Sequence, residues 1–520
     1  MHHIGRGAWS PGRREFLTTG AMGGIGLLDG SVADPSSFRS SAYPFTLGVA
    51  SGDPSPDGVV LWTRLAPDPL NGGGMRPLPV LVRWQVALDP QMMNVVSAGL
   101  AIAWPSLAHS VHVEVGGLRA GQWYYYRFSA GGAESPIGRT RTLPRPGTRV
   151  ESMRFAFVSC QDWQNGFYSA YRNLAREDLD LVVHLGDYIY ESGQNPTAPR
   201  QHDGPETMSL ASYRNRYALY KTDPNLQAAH AAFPWFVVPD DHEVENNYAG
   251  AVSEDNVNPV LFLARRANAY RAYYEHMPLR IRSFPIGPVM RLYRGLTWGD
   301  LIRFSALDTR QYRSDQPCGG LIAPRCPGAL DPSQTMTGPA QEEWLLGRLG
   351  RSRARWNVIA QQTMFAQMDF LAGPLQLFSM DQWDGYVAAR NRITRFLADA
   401  RPSNPIVLTG DIHSSWVHHI KTNFDDPASP VVGTEFVGTS ISSDFPVALI
   451  GPVLAALPDN PHALFFDGFF RGYVRCTVTP GRWLTEFRTV PTILVEDVPA
   501  FTLAAFTVAD GQLGAMQGSP

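Results

Sequence analysis

Four short segments of this chain carry side chains able to hold metal ions. They are Cys160, then Gly186-Asp187-Tyr188-Ile189-Tyr190, then Asp240-Asp241-His242-Glu243, and far downstream Gly410-Asp411-Ile412-His413. A lone Asp or His in such a place is ordinarily a turn residue or a satisfied core group, and a lone buried cysteine is commonly a small hydrophobe. Taken singly, Tyr190 reads as a strand-edge cap and Asp187 as a turn acid. Four such segments in series, each at the end of an apolar run, are how a fold assembles a metal site from distant loops. Asp240 and Asp241 resist the bland reading most strongly, because adjacent carboxylates after a buried strand repel one another unless a cation or strong donors compensate.

The flanking residues say what must position these groups. Phe155 to Cys160, Leu179 to Asp187, Phe236 to Asp241 and Pro405 to Asp411 read as buried strands whose polar residues arrive where the apolar run stops. Between the first two, Phe167 to Arg176 has helical periodicity, which gives a strand-helix-strand unit. Ligands of such sheets bind at the carboxyl ends of the strands, so all four segments are expected to converge on one edge.

These residues resemble the metallophosphoesterases, and within them the PhoD-like alkaline phosphatases and phosphodiesterases. The general pattern is an acid at the first strand end, Gly-Asp, Gly-Asn-His-Glu and Gly-His-x-His. In this chain Cys160 stands for the first acid, Asp241 for the Asn and Asp411 for the first His of the last motif, and those departures are what single out the PhoD-like group. The resemblance continues through Ala269 to Pro278, Asp308-Thr309-Arg310-Gln311-Tyr312-Arg313 and Trp383-Asp384-Gly385-Tyr386. It implies a catalytic domain over residues 151–495 with the four-layer αββα sandwich of metallophosphoesterases.

The donor types can also be read chemically. Cys160, Asp187, Tyr190 and His413 form a strongly electron-donating set of sulfur, oxygen and nitrogen, suited to a highly charged transition ion, with Fe3+ the natural candidate. Asp187 as a bridge, with Asp241 and Asp411, forms an oxygen-only set that favours a hard cation such as Ca2+. The resemblance implies the same pair. Asp241 is taken as the ligand and Asp240 as its supporting neighbour, although the sequence leaves the two free to exchange roles.

Two cations sharing Asp187 would hold a phosphate ester by its oxygens and activate a water for attack. His242 is then expected to protonate the leaving oxygen or to contact the phosphate. Arg265, and with it Arg266, is expected to clamp non-bridging oxygens, and Asn247 is a further candidate substrate contact. The leading function is a secreted phosphoesterase acting on monoesters, diesters or both. Alternatives are a phospholipase D-like phosphodiesterase and, last, a non-catalytic metal-dependent binding protein.

Length and charge agree with an enzyme of this kind. A chain of 520 residues with 44% hydrophobic residues is long enough for two domains. A formal net charge of -3 gives no bulk basic field for nucleic acid, and no nucleic-acid-binding domain is expected. Residues 1–33 read as a twin-arginine signal peptide: Arg13-Arg14-Glu15-Phe16-Leu17, a short apolar stretch to Leu28, and a small-residue site at Ser31-Val32-Ala33. The stretch is too short for a membrane anchor. The expectation is a protein exported by the twin-arginine translocation machinery to the periplasm or medium, not an integral membrane protein.

Before the catalytic region, residues 42–146 show short alternating runs separated by Gly and Pro turns, the signature of a small all-β sandwich. Leu118 to Phe128 resembles a late strand of a fibronectin type III domain, and Leu143-Pro144-Arg145-Pro146-Gly147 reads as the linker. Cys318 and Cys326 share one Pro/Gly-rich loop and are read as a disulfide, which export permits. Cys476 lies in a core strand. Residues 496–520, Ala/Gly-rich and mildly apolar, are taken as a C-terminal tail that either covers the pocket or hangs free.

Overall fold

The strands Met153–Val158, Leu181–His184 and Pro234–Val237 pair side by side in parallel, with Val182 opposite both Ala156 and Trp235. The last two are buried along their whole length and Met153–Val158 at all but one position, which is why they read as short unbroken apolar runs. They form the centre of a ten-stranded sheet. On one side of this trio follow Arg471–Val478, Arg482–Val490, Phe501–Ala509 and Met516–Gly518; on the other follow Val49–Ser55, Gly58–Arg64 and Ser110–Val115. The computed structural model describes residues 42–518. The arginine pair and the small-residue site of the export reading lie outside the described residues.

A seven-stranded sheet runs Arg294–Trp298, Ile302–Ala306, Trp356–Ala360, Pro405–Thr409, Val431–Val437, Ser415–Lys421 and Ala463–Asp467. The two sheets bury a common core that includes Phe155, Val183 and Phe236 from the first and Phe304, Trp356 and Leu408 from the second. Phe155 meets Phe304 edge-on at 5.2 Å. On the outer face of the ten-stranded sheet pack Tyr171, Tyr217, Leu226 and Tyr270 from the helices Ser169–Leu174, Leu210–Lys221, Pro224–Ala232 and Pro259–His276. On the outer face of the other, Leu345 and Leu349 of Gly338–Gly350 and Ile393 and Leu397 of Val387–Ala400 pack on Ile359 and Val407. The helix-sheet-sheet-helix order is the expected four-layer arrangement.

The N-terminal all-β part is present, with one difference from the sequence reading. Its outer layer is the sheet of Val95–Ala103, Val80–Ala87 and Trp123–Ala130, with Ala133–Glu134 and Gly138–Arg141 at its edge. Alternate residues Tyr124, Tyr126 and Phe128 are buried, as a strand with one core face requires. They face Val59, Leu61 and Val113, which lie on strands of the ten-stranded sheet. The sandwich therefore shares a layer with the α/β part instead of being linked only through residues 143–147. The junction is Val49–Ser55 beside Pro234–Val237, with Gly52 opposite Trp235. A Cβ at Gly52 would lie 2.7 Å from Pro278 and 2.8 Å from the Trp235 carbonyl, so only glycine permits this approach.

The reading of residues 496–520 as a tail is corrected. Phe501–Ala509 pairs along Arg482–Val490, and Ala504, Phe506 and Val508 enter the core between the sheets. Its alternating apolar residues find a partner strand that the sequence does not reveal. Cys318 and Cys326 are joined, and Cys476 is buried and free. Among the described residues, no helix is long and apolar enough to cross a membrane.

Candidate metal centre

The four segments meet where the carboxyl ends of the two sheets adjoin. Cys160, Asp187, Asp240 and Asp241 follow three parallel strands of the ten-stranded sheet, while Asp411 and His413 follow Pro405–Thr409 of the other. Four of these residues have left-handed backbone: Cys160 (φ 58°), Asp187 (57°), Asp411 (63°) and His413 (57°). Such conformations cost L-residues energy and persist where surrounding structure enforces them, often at functional sites. Close approach adds to the constraint: a Cβ at Gly186 would overlap Asp240. Buried Glu243 ties two of the loops together, accepting from the backbone N–H of Asp187 (3.1 Å), Tyr188 (2.6 Å) and Asp240 (2.6 Å).

Ligand atoms of Cys160, Asp187 and His413 lie within 4.8 Å of one another. The Tyr190 hydroxyl joins them, donating to Asp187 Oδ2 at 3.0 Å and lying 3.0 Å from His413 Nε2. Ser443 Oγ donates to the same phenol oxygen at 2.7 Å. His413 Nδ1 is 2.9 Å from the Asp444 carbonyl, which can only accept, so Nδ1 carries the proton and Nε2 keeps its lone pair. Burial lowers His413 to about 4, keeping it neutral and fit to ligate. Burial and then Asp187 push the Cys160 thiol and the Tyr190 phenol up. A thiolate and a phenolate side by side here would need a strong cation between them.

A second group comprises Asp240, Asp241 and Asp411, and a third links Asp187 and Asp241 with His242, each within the same 4.8 Å. Asp187 Oδ1, Asp240 Oδ2 and Asp241 Oδ1 are buried without a hydrogen-bond partner. Orphaned carboxylate oxygens at this depth are costly unless something positive meets them. The donor set thus fits metal binding on both sides of Asp187, and Asp240 offers an oxygen as freely as Asp241 does.

His242 Nδ1 is 2.7 Å from Glu191 Oε2. Burial alone would lower its pKa, but the carboxylates of Glu191, Asp187 and Asp241 outweigh burial and raise it well above the usual imidazole range. Asn247 (φ 53°) reaches the centre through its backbone, donating to Asp241 Oδ2 at 2.6 Å, while its side-chain amide binds Glu254. The phosphate-clamp reading of Arg265 and Arg266 is corrected. Arg265 spends its donors on Glu245 (2.7 Å), Glu206 (2.6 Å) and Tyr213 (3.0 Å), and Arg266 on the carbonyls of Pro288 and Gly250. Both brace Pro259–His276 against neighbouring loops.

Sequence reasoning missed Glu191, Ser443, Gln382, Asp381 and above all Arg310. Arg310 stands in a segment that carried the family resemblance, and Glu191 adjoins Tyr190. Ser443 lies 253 residues from Tyr190, and nothing local marks it.

Residues 155–487 match the model of the PhoD-like phosphatase, and residues 31–144 that of its N-terminal domain. The chain is 50% identical over 480 residues to alkaline phosphatase D of Bacillus subtilis (strain 168), covering 91% of this chain and 82% of that protein. The fold and these matches define a metal-dependent phosphoesterase. A solved structure of PhoD superposes with a TM-score of 0.89 at 49% identity, over 92% of this chain and 93% of the other. The chain belongs to the PhoD-like phosphatase family and is a phosphoric ester hydrolase. This kinship does not favour the phospholipase D-like or non-catalytic alternatives.

Proposed function

We propose that this enzyme hydrolyses phosphate monoesters, diesters or both at a paired Fe3+ and Ca2+ centre. The observation that carries the reading is the meeting, at Asp187, of a thiol-phenol-imidazole set with a carboxylate set that leaves three buried oxygens unpartnered. Cys160, Asp187, Tyr190 and His413 would hold the iron; Asp187, Asp241 and Asp411 would hold calcium. Bound there, the two cations supply Lewis acidity to the phosphoryl oxygens and lower the pKa of the attacking water.

The chain's own residues supply the rest. Glu191 fixes the His242 ring through Nδ1, which places the imidazole to donate to the departing alcohol oxygen. The His413 ring is oriented by the Asp444 carbonyl, and the Tyr190 hydroxyl by Asp187 and Ser443. The enzyme acts after export, addressed by Arg13 and Arg14 to the twin-arginine machinery. Replacing both arginines by lysine is expected to leave the protein in the cell, which fractionation would detect. Assays of p-nitrophenyl phosphate and bis-p-nitrophenyl phosphate, paired with elemental analysis, test the centre itself. A fully active preparation free of iron and calcium would overturn the assignment.

A further inference from the structure

Arg310 is 1% exposed, and each of its three guanidinium nitrogens is spent on a carboxylate. Nε donates to Asp240; Nη1 donates to Asp381 at 2.7 Å and Nη2 to Asp411 at 2.5 Å. Nη2 also lies 3.6 Å from Asp241 Oδ1. Asp381 is saturated: it also accepts from Arg313 (2.7 Å) and Gln316 (2.9 Å). It serves as an anchor for the guanidinium. Arg310 therefore spans the two sheets, holding Asp240 from one and Asp411 from the other. Three of its five N–H groups are thus held by carboxylates.

The charges explain why a fork is needed. Arg313 answers Asp381, so Asp240, Asp241 and Asp411 set three carboxylates against the single guanidinium of Arg310, leaving two unbalanced negative charges, the charge of one divalent cation. Asp411 Oδ1 is taken by Arg310 and Oδ2 by Gln382 Nε2 at 2.5 Å. These bonds fix the carboxylate planes before any cation arrives. A lysine reaches them only as a point charge.

We propose that Arg310 is a positioning residue of the oxygen-lined side of the centre: a permanent cation that pre-forms the carboxylate cluster and sets how strongly its stability depends on calcium. The inference rests on the calcium reading given under the proposed function. Removing Arg310 leaves a third uncompensated carboxylate, so the cation-free protein suffers most and bound calcium restores more than it does in the wild type.

The test is the thermal midpoint of the purified protein in EGTA and in excess calcium chloride. For Arg310→Gln, the rise in Tm on adding calcium is expected to be roughly double that of the wild type. Iron content should be unchanged, because Arg310 touches none of Cys160, Tyr190 or His413. Arg310→Lys should fall between the two. If Arg310→Gln cannot be purified, Arg310→Lys carries the test: a calcium shift larger than the wild type's supports the proposal, and one equal to it overturns the proposal. Arg313→Gln is the control: it loses a buried guanidinium that binds Asp381 but neither Asp240 nor Asp411, so its calcium shift should match the wild type. A purely structural arginine would lower Tm equally with and without calcium, and equal lowering overturns the proposal. So does an enlarged shift in Arg313→Gln. A wild-type protein that gains nothing from calcium overturns the calcium reading itself and this inference with it, whereas a wild-type gain matched in Arg310→Gln and Arg310→Lys overturns only the role of Arg310.

Discussion

The imidazole of His242 stacks on the ring of Tyr190, with 4.1 Å between centroids and 30° between planes. The proposed proton donor thus lies against the proposed phenolate ligand, and Glu191 pins its far edge. Movement of either ring disturbs the other, which makes the two roles separable only by choosing the right measurements.

Tyr190→Phe keeps the stacked ring and removes only the oxygen. If Cys160 and Tyr190 both ligate Fe3+, the purified enzyme should show a visible charge-transfer band that this variant shifts or weakens. A spectrum identical to the wild type, at equal iron content, would remove Tyr190 from the ligand set.

His242→Ala should lower the rate by about a hundredfold or more while both metals remain. The loss should be smaller for p-nitrophenyl esters, whose leaving group hardly needs a proton, than for alkyl esters. Glu191→Gln should show the same leaving-group pattern more weakly, because it frees the ring without removing it. Loss of iron from His242→Ala, or equal slowing of both esters, would contradict the donor role.

Calcium chelation should abolish activity, and added calcium should restore it, because Asp241 and Asp411 offer oxygen alone. Activity persisting after exhaustive EGTA treatment, with calcium absent by elemental analysis, counts against an oxygen-bound calcium.

Lys221 gives a pH-dependent stability prediction away from the metal ligands. Its ammonium is buried with no hydrogen-bond partner, 4.3 Å from the Trp62 ring centroid, and burial lowers its pKa from 10.5 to about 7. Between those values the unfolded chain binds more protons than the folded one, so stability rises with pH across that window. The penalty is full below about 7 and gone above about 10.5. Lys221→Met should stabilise the protein at pH 6 by on the order of 5 kcal/mol, with the gain shrinking towards pH 10. Denaturant unfolding at several pH values measures this; a gain independent of pH would refute it.

Deleting residues from Phe501 onwards should leave a protein that aggregates or unfolds at moderate temperature. Phe506 and Val508 are 1% and 2% exposed, and burial of two such side chains is worth roughly 3–6 kcal/mol, a large part of typical domain stability. A stable truncated enzyme with raised activity would instead show this segment to be a cover over the site.

Much of the centre was legible in the chain because donor atoms at the ends of apolar runs are a local signal. Cys160, Asp187, Asp241, Asp411 and His413 each follow a strand whose burial the composition of the run already dictates. The sequence also determined the layers, since unbroken apolar runs belong in doubly covered parallel strands and alternating ones in a sandwich. It did not determine which surfaces fuse. That Val49–Ser55 lies beside Pro234–Val237, or that Phe501–Ala509 completes a sheet, depends on pairing between segments far apart in the chain, where backbone hydrogen bonds carry no residue code. Charge assignments failed for the same reason. Arg265 and Arg266 sit beside ligand segments in sequence yet meet Glu245, Glu206 and two carbonyls, while Arg310, about 70 to 100 residues from Asp240 and Asp411, enters the carboxylate cluster. A guanidinium's partner is fixed by what the tertiary structure brings within 3 Å, and only the packed sheets decide that.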